Sequence, residues 1–151
     1  PELMEKGVNV SLGTDGPASN NNFNLFEEMK LTGLIHKREN PEKITEQEGL
    51  DMATINGAKA LGLEDEIGSV EEGKKADLLV IDLENSELKP FYGKQGLVSN
   101  LVFSYTGSPE KVFVNGEAVV DENRVLGVKK NELLEYAQDR VEKFDSARKE
   151  E

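Results

Sequence analysis

The chain has 151 residues, of which 36% are hydrophobic and 32% are charged, a composition that predicts a globular domain with a thin core. Its net charge of −12, with basic residues scattered among acids, argues against nucleic acid and anionic membranes as partners, because binding either needs clustered lysine and arginine. It contains no cysteine, so disulfides and thiolate metal sites are excluded and a reducing, cytoplasmic location is predicted.

No apolar run approaches the ~20 residues that span a bilayer, so we expect neither a membrane helix nor a signal peptide. The first residue is Pro1 rather than Met. We therefore expect a chain that was processed or that was numbered from inside a longer parent.

The first predicted elements are the end of a helix and a strand. Residues 1–7 have the pattern of a helix tail, with Gly7 in the left-handed position that ends it. The apolar run Val8–Leu12 predicts a strand, and Asp15 follows it between two glycines. A helix end, one glycine and a β-rich run are typical of the connections in an alternating α/β fold.

A polar loop then leads to a helix that is predicted over Leu25–Lys37. Asn24 is its predicted cap, and Glu27 is predicted to complete a capping box. Phe26 and Met29 share one face of this helix at helical spacing.

A second capping box starts the next helical segment. Thr45 and Glu48 have the spacing of such a box, and a narrow stripe of mostly small residues follows them. Asn56-Gly57 is predicted to break the segment into two helices, the second of which ends at Gly62.

The period of the hydrophobic pattern then changes from that of a helix to that of strands. Ala76–Leu83 is a nearly continuous apolar run and is predicted to be a strand buried on both faces. Lys111–Val120 predicts a hairpin, because the Asn115-Gly116 dipeptide at its centre tolerates the positive φ of a type I′ turn. An amphipathic helix is predicted from about Asn131 to Arg148, with a charged, solvated outer face.

Asp15 is the first candidate functional residue. It has two interpretations: a turn residue or helix cap after a strand, or a metal ligand or general base at the carboxyl end of a barrel strand. A single carboxylate cannot bind a catalytic metal, since such sites need three or more protein ligands. The single histidine, His36, lies near the end of a predicted helix, where the helix dipole favours a surface histidine. This chain therefore cannot assemble a histidine-rich metal site alone.

The polar loop Ser19–Asn22 is the second candidate. Its side chains suit hydrogen bonding to a polar heterocycle or its sugar, since loops that follow barrel strands line the pocket. The alternative is a solvated loop that ends in a helix cap. The glycines of Gly68–Asp77 are spaced for turns instead of a phosphate-binding loop, because no Gly-Lys-Ser/Thr ends that segment and no helix follows it.

Five segments in a fixed order carry a family resemblance: Leu12–Gly16, Ser19–Asn22, Phe26–Met29, Ala53–Leu63 and Ile67–Leu78. The most specific of them are the Thr-Asp-Gly strand end and the Ala-Thr-Ile-Asn-Gly-Ala-Lys-Ala-Leu-Gly segment. In these features the chain resembles, nearly end to end, the C-terminal part of the amidohydrolase superfamily. Within that superfamily it is similar to the 5-methylthioadenosine/S-adenosylhomocysteine deaminases and related chlorohydrolases.

This resemblance implies an α/β fold: the C-terminal portion of a metal-dependent (β/α)8 barrel, part of a small β-sandwich and a C-terminal helix. Residues 1–66 would be the end of the barrel, 67–128 part of the sandwich, and 129–151 the amphipathic helix. Val8–Leu12 would then be the eighth barrel strand and Leu25–Lys37 the eighth helix. The unpaired strand edges would favour a homo-oligomer or self-association.

The resemblance also implies a hydrolase that deaminates a small purine nucleoside derivative, with one divalent metal ion, zinc or else iron or another metal. Only Asp15 matches a family metal ligand and proton shuttle. Ser19 and Asn20 are the candidate substrate contacts. The family's histidine ligands and its acid/base glutamate have no match in this chain, so we expect the chain alone to be inactive.

Two alternatives stay open. One is a catalytically inactive fragment or homologue that acts as a structural or association module. The other is a chlorohydrolase or a cyclic-amide hydrolase of the same superfamily.

Overall fold

The structure is a computed structural model, and it describes residues 1–38 and 40–149. Its helices are α1 (Glu2–Glu5), α2 (Leu25–Lys37), α3 (Glu46–Ala53), α4 (Ile55–Leu61), α5 (Gly93–Phe103) and α6 (Lys130–Lys149). Its strands are β1 (Leu78–Val80), β2 (Lys111–Val114), β3 (Glu117–Asp121) and β4 (Arg124–Val125). None of the helices in these two ranges is long and apolar enough to cross a membrane.

Helices α2, α3 and α5 pack against one another at the centre of the core. Each contributes one almost fully buried side chain: Met29 from α2, Met52 from α3 and Val102 from α5. Helix α2 approaches α5 closely at Gly33, where an added Cβ would lie 2.7 Å from Cε1 of Phe103. The absence of a side chain at this glycine therefore allows the aromatic ring to rest on α2.

Helix α2 has the predicted bounds, and its cap is confirmed in part. The Asn24 side chain accepts a hydrogen bond from the Phe26 amide, as predicted. The predicted capping box is wrong, because Asn22 bonds to the Asn24 amide and to the Glu27 carboxylate, the two groups that would bond to each other in the box. Its Oδ1 accepts from the Asn24 amide at 2.9 Å, and its Nδ2 donates to the Glu27 carboxylate. The Glu27 side chain is thus engaged one turn before the helix and does not reach back to the cap.

The capping box at α3 is confirmed, whereas the predicted break after it is displaced. Thr45 Oγ1 accepts from the Glu48 amide at 3.2 Å, and Glu48 Oε2 accepts from the Thr45 amide at 2.7 Å. The break lies at Thr54, with φ −127° and ψ −98°, so Asn56-Gly57 lies inside α4. The Thr54 hydroxyl donates to the carbonyl of Leu50 at 2.7 Å, and such side-chain bonds favour a departure from regular helix.

The strands form one antiparallel sheet in the order β1-β2-β3-β4. The predicted hairpin is confirmed: Asn115 and Gly116 both have positive φ, 51° and 83°, between β2 and β3. The prediction for 76–83 is wrong in two respects, since β1 has only three residues and the side chains of Leu79 and Val80 are 54% and 39% exposed. The reason is that β1 is an edge strand, paired on one side only, and no described helix packs against it.

Helix α5 interrupts the region that the sequence predicts to be β-rich. It packs on α2 and α3 rather than on the sheet. Its start has no side-chain cap, and Gly93 and Gly96 lower its helix propensity, so its sequence carries no helix-start signal. The assignment of residues 67–128 to a separate β unit therefore remains a prediction.

Helix α6 is confirmed within one residue at each end, but its apolar face is uncovered. It contacts none of the other described helices or strands, and it has no buried residue. The uncovered face of α6 and other exposed apolar side chains contribute to an accessible surface of 11182 Å². A compact monomer of this mass exposes roughly 7,600 Å². The described chain therefore has far more surface than a protein of its size that folds around one core.

Candidate functional site

The segment that precedes Asp15 is extended but is not a strand. The predicted strand Val8–Leu12 is therefore not formed within the described residues, because a strand needs a hydrogen-bonded neighbour. Within residues 1–38 and 40–149, no strand lies beside this segment. It is instead held against α3 and α4; for example, the amide of Leu12 donates to the carbonyl of Met52 at 3.0 Å.

Asp15 lies at the end of this segment in an unusual backbone conformation. Its φ is +57°, in the left-handed region that non-glycine residues seldom adopt, although Asp is among the more tolerant types. The side chain is exposed to solvent. The carboxylate is therefore presented on an open surface, just before the turn at residues 17–19.

The loop after Asp15 folds back onto the carboxylate. The Gly16 carbonyl accepts hydrogen bonds from the amides of Ser19 and Asn20 at 3.0 and 2.9 Å. This turn brings the Ser19 hydroxyl to 2.6 Å from Asp15 Oδ2, to which it donates. The hydrogen bond from Ser19, followed by one from the Gly16 backbone, lowers the pKa of Asp15 below its ordinary value. The carboxylate is thus ionised at neutral pH.

Asn20 fastens the same loop to α2. Its Nδ2 donates to Glu28 Oε1 at 2.7 Å, and its Oδ1 accepts a long hydrogen bond from the Asn22 amide at 3.5 Å. Glu28 was not among the predicted site residues, and its sequence signal was only that of an acid in the first turn of α2, where the helix dipole favours negative charge.

Of the predicted site residues, the structure therefore brings Asp15 and Ser19 into direct contact, whereas Asn20 contacts α2. The donor groups of Ser19 and Asn20 are both engaged within the protein. Their roles as substrate contacts remain predictions.

The described residues around Asp15 can supply one ligand of a metal site, the Asp15 carboxylate. A carboxylate oxygen is a common ligand of divalent cations, and the low pKa of Asp15 keeps it in the required form. In the described ranges, however, no group of three or more His, Cys, Asp and Glu side chains could hold a metal. His36 lies in the last turn of α2, eight residues beyond Glu28 and so about 12 Å further along the helix. It does not add a second ligand beside Asp15.

The sequence profile of the amidohydrolase family matches residues 1–119. A 5′-deoxyadenosine deaminase from Methanosarcina barkeri is 44% identical over 146 residues, which is 95% of this chain and 33% of the relative. A 5-methylthioadenosine/S-adenosylhomocysteine deaminase from Caldanaerobacter subterraneus is 45% identical over 130 residues, which is 84% of this chain and 29% of that relative.

Two solved structures superpose on most of this chain. A zinc-bound adenosine deaminase from Xanthomonas campestris superposes with a TM-score of 0.88 at 28% identity, covering 95% of this chain and 33% of that one. A zinc-bound atrazine chlorohydrolase from Arthrobacter aurescens gives a TM-score of 0.81 at 26% identity, covering 91% of this chain and 31% of that one. The chain thus spans about a third of the length of these relatives.

Proposed function

Since the chain belongs to the amidohydrolase family, with an α/β fold, we propose that it forms the C-terminal part of a metal-dependent hydrolase that deaminates a purine nucleoside derivative. The observation that carries this proposal is the ionised, exposed carboxylate of Asp15, which the Ser19 hydroxyl holds at the end of an extended segment. The similarity to deaminases of adenosine derivatives supports the choice of substrate class.

We assign residues 1–66 to the end of a (β/α)8 barrel, 67–128 to part of a small β-sandwich and 129–151 to a C-terminal helix. Val8–Leu12 would become a strand when neighbouring strands pair with it. The large accessible surface supports this assignment, because apolar faces such as that of α6 need a cover. Helix α5 would then fix the second unit to the first, through its contacts with α2 and α3.

We assign to Asp15 the roles of metal ligand and proton shuttle. A divalent metal such as zinc, when bound, supplies a water of lowered pKa at neutral pH. The Asp15 carboxylate would accept a proton from the attacking water and return it to the amine that leaves the purine ring as ammonia. The remaining ligands would come from polypeptide other than the described residues.

Ser19 and Asn20 would form part of the rim of the substrate pocket. The Ser19 hydroxyl is committed to orienting Asp15, so its contribution to a ligand would be as an acceptor. Asn20 Oδ1, which has only a long hydrogen bond, would accept from a substrate hydroxyl or amine. The contact of Asn20 with Glu28 would keep this acceptor in place.

A chlorohydrolase is the second candidate, and the superposition on an atrazine chlorohydrolase favours it. The attack by water would be the same, with chloride leaving in place of ammonia. A non-catalytic association module is the third, since the exposed strand edges would permit self-association. A cytoplasmic location remains a prediction from the cysteine-free composition.

The test is a substrate survey of the full-length enzyme that carries this segment. Ammonia release is measured with 5′-deoxyadenosine, methylthioadenosine, S-adenosylhomocysteine and guanine, and chloride release with atrazine. Asp15→Asn should lower kcat by about 10²–10⁴-fold or more. Asp139→Asn, in an exposed ion pair on α6, is the matched control and should leave kcat unchanged. Near-normal kcat in Asp15→Asn would remove Asp15 from the mechanism, and chloride without ammonia would favour the second candidate.

A further inference from the structure

The backbone that leads to Asp15 is held against the junction between α3 and α4. Three hydrogen bonds join the two. The Leu12 amide donates to the Met52 carbonyl at 3.0 Å. Asn56 Nδ2 donates to the Val10 carbonyl at 3.1 Å, and Asn9 Nδ2 donates to the Asn56 carbonyl at 3.0 Å. Asn56 is therefore the one residue that takes part in two of these three bonds.

The junction leaves backbone and side-chain groups available for these hydrogen bonds because the helical segment is interrupted between α3 and α4. The last carbonyls of a helix have no donor within it. Met52 is next to the last residue of α3, and its carbonyl accepts from the extended segment instead. The break at Thr54 starts a new helix at Ile55, which places Asn56 in the first turn of α4 beside that carbonyl. A continuous helix would use the Met52 carbonyl internally.

The anchor adjoins a buried core residue, and asparagine suits it. The Met52 side chain is 1% exposed and lies in the core between α2, α3 and α5. The Asn56 side chain is only partly exposed, so its hydrogen bond to the Val10 carbonyl is shielded from competing water. The side-chain amide of Asn56 donates to the Val10 carbonyl, and its backbone carbonyl accepts from the Asn9 side chain. One residue thus supplies both a donor and an acceptor to the segment, as paired strands do.

We propose that Asn56 is a positioning residue for Asp15, an inference that rests on the proposed function of that carboxylate. Val10 lies five residues before Asp15, and the segment between them is extended, so the anchor fixes the path of the backbone that leads to Asp15. Ser19 sets the direction of the carboxylate, and Asn56 sets the location of its backbone. A displacement of about 1 Å at a reacting group is enough to lower a rate by about 10²-fold.

The test compares Asn56→Ala with Gln47→Ala in the full-length enzyme. Gln47 donates its side-chain amide to Asp51 on the outer face of α3, so its loss removes a similar bond without touching the segment. Asn56→Ala should lower kcat by about 10–100-fold and weaken zinc retention against a chelator. It should also speed hydrogen exchange at the Leu12 amide. Gln47→Ala should change none of these.

A double variant separates positioning from general damage. If Asn56 acts through Asp15, Asn56→Ala combined with Asp15→Asn should have the kcat and the zinc retention of Asp15→Asn alone. Losses that multiply, or an Asn56→Ala enzyme with wild-type kcat and zinc retention, would overturn the inference. Should Asn56→Ala not fold, Asn9→Ala removes one of the two bonds and must show the same dependence on Asp15, with a smaller loss.

The failure of this inference differs from the failure of the proposed function. Full activity in Asp15→Asn would refute the function, whatever Asn56→Ala does. An inactive Asp15→Asn together with an unaffected Asn56→Ala would leave the function standing and refute only the positioning role.

Discussion

Replacing a buried helical glycine by alanine should affect stability differently at Gly49 and at Gly33. In either helix, Gly→Ala gains about 1 kcal/mol of helix propensity. At Gly49 in α3 the new Cβ would lie 3.8 Å from Val102 Cγ1, an ordinary contact, so Gly49→Ala should stabilise the protein by about 1 kcal/mol. At Gly33 in α2 it would lie 2.7 and 2.9 Å from two ring atoms of Phe103. Overpacking of this kind costs about 1–3 kcal/mol, which cancels or exceeds the gain.

Thermal unfolding of the two variants beside the unaltered protein measures the difference. We expect the free energies of unfolding to differ by about 1–3 kcal/mol, with Gly49→Ala the more stable. For a protein of this size, each kcal/mol corresponds to about 2–4 °C in Tm. The Phe103 ring is held in place in part by Lys37, whose Nζ lies 5.6 Å from the ring centroid. Equal stabilisation by both substitutions would show that the ring moves aside freely, and would refute the account of α2–α5 packing.

Three further predictions concern the site and the helix start. Ser19→Ala should raise the pKa of Asp15 towards its ordinary value of 3.8, because the hydroxyl is the largest cause of the lowered pKa. The hydrogen bond from Ser19 to ionised Asp15 stabilises the fold at neutral pH, and this contribution is lost as pH falls through the lowered pKa. The loss of unfolding free energy caused by Ser19→Ala should therefore vanish in acid. A carbon-detected NMR titration that shows no change in the pKa of Asp15 would contradict this. The 151-residue chain purified alone should bind no stoichiometric zinc after dialysis, since residues 1–38 and 40–149 contain no group of three or more side chains that could hold a metal; elemental analysis showing one zinc per chain would disprove it. Thr45→Ala should lower the unfolding free energy by about 1 kcal/mol and Thr45→Ser should not, because only the former removes the hydroxyl that accepts from the Glu48 amide; equal Tm values would exclude the capping box as a source of stability.

Local signals predicted the local structure well, because their physics lies within a few residues. The box formed by Thr45 and Glu48 and the turn at Asn115-Gly116 need only neighbouring backbone groups, and both are confirmed. The predicted capping box at Asn24 failed even though it is local, because the neighbouring Asn22 side chain forms a hydrogen bond with Glu27 instead. Helix α5 was missed because its glycines and uncapped start carry no local signal, and its stability comes from burial against α2 and α3.

For the candidate site, the sequence by itself determined the residue types: one carboxylate after an apolar run, a polar loop and no histidine beside them. Only the tertiary structure decided how they are held. Val8–Leu12 lies against a helix junction instead of forming a strand, Ser19 reaches back to Asp15, and Asn56 anchors the segment from more than forty residues away. The physical reason is that hydrogen bonds between distant parts of a chain depend on which backbone groups the folded helices leave without a partner. Such groups exist only once α3 and α4 have formed and packed.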